Sequence, residues 1–163
     1  MKKLIYTLLI IIALTNNSFA AGSSSDSDST PKASDYTKAK NLIKAAKKYE
    51  KKGKIDKAQE RYAKAQKLLL KSNEIKPLQA DTLNYLGFTT RKLGDYEGGE
   101  KFYLQGLQIE PNHNGINEYL GELYVATNRM DMAKERLEVL KTCNCEEYGE
   151  LKEIIEGTKK SKY

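Results

Sequence analysis

Histidine, cysteine and tryptophan are scarce in this sequence, which has one histidine, two cysteines and no tryptophan. Histidine and cysteine supply many of the nucleophiles, general bases and transition-metal ligands of proteins. The sequence also has no Ser/His/Asp grouping with a supporting turn, no glycine-rich phosphate loop and no cluster with metal-ligand spacing. Its carboxylates are plentiful but scattered. These absences predict a protein that is not an enzyme and that binds neither a cofactor nor a metal.

A long hydrophobic run is missing as well. The apolar stretch over residues 4–14 has 11 residues, whereas a membrane-spanning helix needs about 20. Two lysines precede this stretch, and Ser18-Phe19-Ala20 follows it with the small-x-small pattern of a cleavage site. The pattern predicts a signal peptide over residues 1–20, cleaved near Ala20, and therefore an exported, periplasmic protein. No cysteine follows the run, which argues against a lipoprotein.

Residues 21–35 consist mainly of serine, aspartate and other polar residues. Such a segment cannot bury enough apolar surface to fold, so we expect a disordered linker. The folded domain is predicted over residues 36–157, and residues 158–163 form a short basic tail. One domain with a continuous core is sufficient for this length.

Strict alternation of polar and apolar residues, which is typical of a half-buried strand, is also absent. Apolar residues instead recur at helical spacing, as in Ala58, Tyr62, Ala65 and Leu69. The helix-breaking and capping residues fit this periodicity: Pro77 and Pro111 stand where a helix cannot easily continue, and Asp95 is a candidate N-cap. The sequence therefore predicts an all-α fold.

The helical pattern repeats with a fixed period. Leu86-Gly87 recurs 34 residues later as Leu120-Gly121, and Tyr103 recurs as Leu137. A period of this size is typical of stacked helical hairpins, because each hairpin exposes an apolar face that its neighbour covers.

The pattern resembles the tetratricopeptide repeat (TPR) family. Residues 80–113 fit best, with Leu83, Leu86 and Gly87 on a first helix, Gly94-Asp95-Tyr96 at the turn, and Gly99, Tyr103, Gly106 and Pro111 on the second helix and its exit. Residues 114–147 fit with Asn128 in place of the usual turn glycine, a mild change because asparagine tolerates a left-handed conformation. Residues 39–77 fit more loosely, with one lengthened helix from Ile55 to about Glu74.

The resemblance implies a right-handed superhelical stack of three hairpins, followed by a capping helix at about residues 146–157. It also implies a non-enzymatic adaptor or scaffold whose concave groove binds a protein or peptide. The groove positions that we select as candidates are Lys47, Asn84, Phe88, Arg91, Lys92, Glu118 and Glu122. Phe88 flanked by Arg91 and Lys92 suits an acidic, partly apolar peptide, and the alternative is that Phe88 fills a gap in the core. The residues with which some family members clamp a C-terminal carboxylate are missing.

Positive charge is concentrated in the first repeat, although the whole chain carries a net charge of only +6. The lysines concerned are Lys38, Lys40, Lys44, Lys47, Lys48, Lys51, Lys52, Lys54 and Lys57. One interpretation is peripheral contact with an anionic membrane or cell wall, and the other is an ordinary solvated helix face. Nucleic acid is not expected as a partner, because the chain is predicted to be exported and its aromatic residues sit at core spacings.

Cys143 and Cys145 lie just before the last predicted helix. In an exported protein an even number of cysteines suggests a disulfide, here across a very small ring. A thiol-redox accessory role is a remote alternative. Glu146 and Glu147 disfavour it, because neighbouring carboxylates raise the pKa of a thiol.

Overall fold

A computed structural model describes residues 34–161, and these contain seven α-helices and no strand. The helices are α1 (Asp35–Lys51), α2 (Ile55–Ile75), α3 (Ala80–Lys92), α4 (Tyr96–Ile109), α5 (Asn114–Ala126), α6 (Met130–Leu140) and α7 (Glu146–Ile155). The all-α prediction is confirmed. The predicted signal peptide and all but the end of the predicted linker lie outside the described residues.

Successive helices pack as pairs, α1 with α2, α3 with α4 and α5 with α6, and α7 packs against α5 and α6. Within the described residues, α1 contacts α3, α3 contacts α5 and α5 contacts α7, whereas the backbones of α2, α4 and α6 do not approach one another. The helices α1, α3, α5 and α7 therefore form one row in which each helix contacts the next, while α2 packs on α3 and α4 packs on α5. We call the surface of this row the inner wall.

The turns of the three hairpins share one backbone feature, a residue with positive φ after the first helix of each pair. These residues are Gly53 (68°), Gly94 (95°) and Asn128 (59°). Glycine adopts this conformation without strain, and asparagine does so more readily than most residues. The structure thus confirms that Asn128 takes the left-handed conformation that glycine has in the other two turns.

The predicted N-cap of α4 is also confirmed, since the Asp95 side chain accepts a 2.8 Å hydrogen bond from the Gly98 backbone N–H. Gly98 leaves room for this contact. A Cβ atom on Gly98 would meet the Asp95 carboxylate. The side chain of residue 95 can therefore fold over the first turn of α4 and satisfy one of its free N–H groups.

The apolar core has two parts, one within the first hairpin and its contact with α3, and one between α4, α5 and α6. Small residues let the helices interlock. A Cβ atom on Gly87 would lie 2.5 Å from the Tyr103 ring, and one on Gly121 would lie 2.5 Å from Leu151. The repeated Leu-Gly pair thus places each glycine where a neighbouring helix inserts a large side chain.

The lengthened helix α2 is continuous to Ile75, as predicted. Its end and the following link expose apolar side chains at Leu70, Ile75 and Leu78. None of the helices in residues 34–161 combines the length and the hydropathy needed to span a bilayer.

Because several tyrosines are buried, we expect the folded protein to lose stability in alkali. Burial raises the pKa of Tyr103, which is fully buried, and raises that of Tyr124 to about 12, with Glu100 adding to the shift. In the unfolded chain these phenols ionise near pH 10, at about their ordinary pKa. Because the folded-state pKa values are higher, the contribution to stability is complete below about pH 10 and is lost as the pH rises further.

We expect the melting temperature to be flat just below about pH 10 and to fall above it. Thermal scans followed by circular dichroism, with tyrosinate absorbance read in parallel, measure both events. Tyr103→Phe should flatten the fall, because it removes one of the titrating groups. A melting temperature that stays constant as the tyrosines ionise would contradict this prediction.

Candidate functional site

The sequence-predicted groove residues lie on three neighbouring helices of the inner wall. Lys47 is on α1, Asn84, Phe88, Arg91 and Lys92 are on α3, and Glu118 and Glu122 are on α5. Asn84, Phe88, Arg91, Glu118 and Glu122 are each at most 6 % exposed. Most of these side chains therefore pack beneath the surface of the wall. Their direct contact with a partner stays a prediction.

Phe88 is the centre of an aromatic cluster that joins the first hairpin to α5. Its ring centroid lies 5.7 Å from that of Tyr62 and 5.2 Å from that of Tyr119. Lys47 covers it, with Nζ 4.5 Å from the Phe88 centroid, and donates a 3.2 Å hydrogen bond to the Tyr119 hydroxyl. Phe88 thus fills an inter-repeat gap, and a cation–π contact fixes Lys47 above it.

Arg91 and Glu122 form a fully buried ion pair between α3 and α5, with 3.4 Å between Nη2 and Oε2. Arg91 Nη1 also donates a 2.6 Å hydrogen bond to the Tyr119 carbonyl oxygen. Burial raises the pKa of Tyr119, and nearby Glu118 adds to the shift. The Arg91 charge is therefore paired with the Glu122 carboxylate inside the protein.

Lys92 contacts the first hairpin beside Tyr62, with Nζ 5.6 Å from the centroid of that ring. Its Nζ is 2.6 Å from Glu50 Oε1, while the Tyr62 hydroxyl donates a 2.8 Å hydrogen bond to Glu50 Oε2. Gln59 Nε2 donates to the Lys92 carbonyl oxygen at 2.8 Å. Lys92 therefore connects α3 to α1 and α2.

The accessible part of the candidate site is a polar cavity of about 490 Å³ in the inner wall, which we call the wall cavity. Its lining comes from α3, the α4–α5 link, α5 and α7: Asp81, Asn84, Tyr85, Glu110, Asn112, His113, Asn114, Gly115, Glu118, Tyr119 and Glu147. Two of the predicted groove residues, Asn84 and Glu118, are among them. The cavity lies where the N-terminal ends of α3 and α5 meet the start of α7.

Several residues of the wall cavity were missing from the sequence prediction. Tyr85 and Tyr119 stand one position from the predicted Asn84 and Glu118, so an aromatic residue beside each candidate was the available signal. Glu147 gave no local signal, because only the packing of α7 on α5 brings it to the cavity.

His113 organises the rim of the cavity. Its Nδ1 accepts a 3.2 Å hydrogen bond from the Ile116 backbone N–H and so caps α5, while Nε2 lies 3.2 Å from Asp81 Oδ1. Because Nδ1 is an acceptor, the ring hydrogen is on Nε2 and is donated to Asp81. The only histidine of the chain therefore ties the α4–α5 link to the start of α3.

Two other groups contain side chains that are typical of chemical centres. Cys143 and Cys145 are joined by a disulfide in the turn between α6 and α7, with their Cα atoms 5.2 Å apart. In the described part of the chain, one trio of potential ligands is close enough for a metal ion, namely Glu118, Glu122 and Glu150. Arg91 pairs with Glu122, and Lys159 lies 3.3 Å from Glu150, so this trio already has cationic neighbours.

Residues 80–113 match the model of the tetratricopeptide repeat. These residues are the α3–α4 hairpin with its exit link, the same segment that fits the family best by inspection. The hairpin that matches this model lies at the centre of the stack and supplies Asp81, Asn84 and Tyr85 to the wall cavity. No curated protein matches the sequence.

Among solved structures, one similar to this chain is described as "First TPR of Spaghetti (RPAP3) bound to HSP90 peptide SRMEEVD". The two chains are 22 % identical, and the match covers 77 % of this chain and 96 % of the other, with a TM-score of 0.48.

Proposed function

We propose that this protein is a non-enzymatic interaction adaptor that binds a protein or peptide along its inner wall. The observation that carries the proposal is the wall cavity, which lies between α3, α5 and α7 of a stack that contains a tetratricopeptide hairpin. Stacked hairpins use such extended surfaces to bind other chains.

The buried clusters support this role by holding the wall rigid. The Lys47–Phe88–Tyr119 contacts and the Arg91–Glu122 pair fix α1, α3 and α5 relative to one another. A rigid wall binds a flexible peptide at lower entropic cost, because only the peptide has to be ordered. The polar lining of the cavity offers hydrogen-bond partners to a peptide backbone.

Selection of peptides on the purified protein tests the adaptor function. Peptides from a displayed random library should bind, and Tyr85→Ser should weaken their binding by about tenfold, because an aromatic side chain in the lining is a typical binding hot spot. Leu104→Ser is the matched control, since Leu104 is an exposed residue on α4, outside the inner wall. Failure to select any peptide that distinguishes the two variants would refute the proposal.

We also propose that the protein acts in the bacterial envelope, after export and cleavage near Ala20. The support is the pattern of lysines, apolar run and small residues in residues 1–20. Fractionation of cells followed by mass spectrometry of the N-terminus should find the mature chain starting near Ala21 in the periplasm. A full-length chain in the cytoplasm would contradict it.

A second candidate function is attachment to an anionic surface through α1, because Lys44, Lys48 and Lys51 are exposed there. Reversing these three charges should abolish sedimentation with anionic vesicles and leave peptide binding unchanged. Equal sedimentation of the wild type and the variant would remove this candidate.

A further inference from the structure

We propose that the N-terminal end of the helical stack binds an acidic, amphipathic helix of another protein. The surface concerned is a groove of about 730 Å³, lined by Leu42 of α1 and by one side of α2 between Lys64 and Glu74. We call it the end groove. It shares no lining residue with the wall cavity, so it would be a second binding surface beside the one proposed above.

The packing order of the stack indicates that the neighbour missing at this end is a helix. α2 packs on α3 and α4 packs on α5, so the second helix of each hairpin covers the first helix of the next hairpin. α1 is also the first helix of a hairpin. Within residues 34–161, however, the helices that contact α1 are α2 and α3, and both follow it in the chain. A helix added before α1 would therefore continue the packing that the stack already uses.

Leu42 shows the consequence at a single position. The turn glycines Gly53 and Gly94 are 41 residues apart, and the same offset places Leu42 on Leu83. Leu83 is 3 % exposed and belongs to the apolar core of the first hairpin and α3. Leu42 is only partly buried. The equivalent leucine thus loses its remaining contact with water where a preceding hairpin covers it.

Leu42 is part of an apolar stripe along α1. Ala45 and Tyr49 follow it at spacings of three and four residues, which places all three side chains on one side of the helix. Each of them is partly buried. Across the groove, Leu68 and Leu70 of α2 supply further apolar surface. Amphipathic helices bind in such grooves through apolar residues that recur at helical spacing.

Charge decides which kind of helix fits. Lys64, Lys67 and Lys71 line the end groove, and Glu74 is the carboxylate among the lining residues. Arg61 extends the positive charge along α2, with its guanidinium carbon 5.9 Å from the centroid of the Tyr49 ring. A helix that carries glutamates beside its apolar face is attracted to this surface, whereas one that carries lysines is repelled.

The ion pairs already present do not cancel this preference. Lys64 pairs with Glu60 at 2.6 Å, but the two side chains are 58 % and 60 % exposed. Such a surface pair contributes little stability, so a partner can displace it at low cost. Lys71 pairs with Asp35 at the start of α1. Lys67 forms no ion pair within residues 34–161, so its charge is available to a partner.

Fluorescence anisotropy with three labelled helical peptides tests the proposal. Each peptide is capped, has an alanine background and is about 20 residues long, so that it can form a helix alone. The acidic peptide carries leucine at i, i+4, i+7 and i+11, with glutamate at the flanking positions. The second has lysine in place of glutamate, and the third has glutamine in place of leucine. We expect the acidic peptide to bind the full chain about tenfold or more tightly than either of the others.

A charge reversal locates the interaction. Lys67→Glu should weaken the acidic peptide about tenfold and strengthen the lysine peptide, because it inverts the charge that the peptide meets. A variant that merely unfolds cannot strengthen binding. Lys134→Glu on α6 is the matched control, since Lys134 is also exposed and lies outside the end groove.

The apolar contact has its own matched pair of variants. Leu70→Ser should weaken the acidic peptide severalfold, whereas Leu104→Ser should not change its binding. Both leucines are 43 % exposed, but only Leu70 lines the end groove. Circular dichroism confirms that each variant is folded.

Equal binding of the acidic and lysine peptides, or equal losses in the groove and control variants, would overturn the inference. Two results would assign the groove to another occupant and overturn it as well. One is sedimentation with anionic vesicles that depends on Lys67 and Leu70 while the acidic peptide does not bind. The other is self-association of the chain, measured by light scattering, that Lys67→Glu abolishes.

The wall cavity provides the test that keeps the two proposals apart. Tyr85→Ser should leave binding of the acidic helix unchanged, because Tyr85 lines the wall cavity and not the end groove. If library peptides depend on Tyr85 but no acidic helix binds, the end groove fails and the adaptor function of the inner wall stands. The reverse result would refute the inner wall and support the end groove.

Discussion

Arg91→Met is expected to lower the free energy of unfolding by about 3–5 kcal/mol, because breaking a buried ion pair leaves the remaining charge in an apolar environment. Both side chains of the Arg91–Glu122 pair have no exposed surface. The substitution also removes the 2.6 Å hydrogen bond to the Tyr119 carbonyl oxygen, which links α3 to α5. Urea denaturation followed by circular dichroism measures the loss.

The double variant Arg91→Met/Glu122→Leu is the control for this prediction. Apolar residues of similar volume can replace a buried ion pair at little cost, so the double variant should recover most of the stability lost in Arg91→Met. A single variant as stable as the wild type, or a double variant less stable than the single one, would show that the pair does not behave as a buried charge pair.

Leu151→Ala is expected to lower stability by about 2–5 kcal/mol, the usual range for emptying a buried leucine site. Leu151 is fully buried and inserts where Gly121 has no side chain, so the cavity would lie directly between α7 and α5. In a stack whose units contact only their neighbours, the damage should stay close to the terminal helix.

Hydrogen exchange separates local from global loss in this variant. Amides of α7 and α6 should exchange faster, while those of α1 and α2 change least. Leu104→Ala is the control, because Leu104 is 43 % exposed and its truncation should change stability by no more than about 0.5 kcal/mol. Uniformly faster exchange along the chain would contradict the local effect.

Local features of the fold could be predicted from the sequence because their causes are local. The carboxylate of Asp95 caps α4 through an N–H three residues away, and Asn128 turns the chain by its own conformation. The spacing of Ala58, Tyr62, Ala65 and Leu69 fixes one buried face of α2, and all four side chains are fully buried. Each of these three features depends only on residues within a few helical turns of it.

The candidate site could be predicted only in part. Helical spacing was enough to place Phe88 and Arg91 on the first helix of a repeat. It could not show that Lys47 and Tyr119 cover Phe88, or that Glu122 neutralises Arg91, since these partners lie 31 to 41 residues away in the chain. Burial of a groove residue depends on how closely successive repeats approach, which spacing along one helix does not encode.

The sequence by itself determined the helices, their turns and their repetition, because periodic apolar residues, capping groups and turn residues act over a few positions. The tertiary structure decided which polar side chains face one another. It buried the Arg91–Glu122 pair and gathered Asp81, Asn84, Glu118 and Glu147 around one cavity. The physical reason is that electrostatic and packing contacts between repeats depend on three-dimensional distance, and this is set only when the hairpins stack and α7 closes the end of the row.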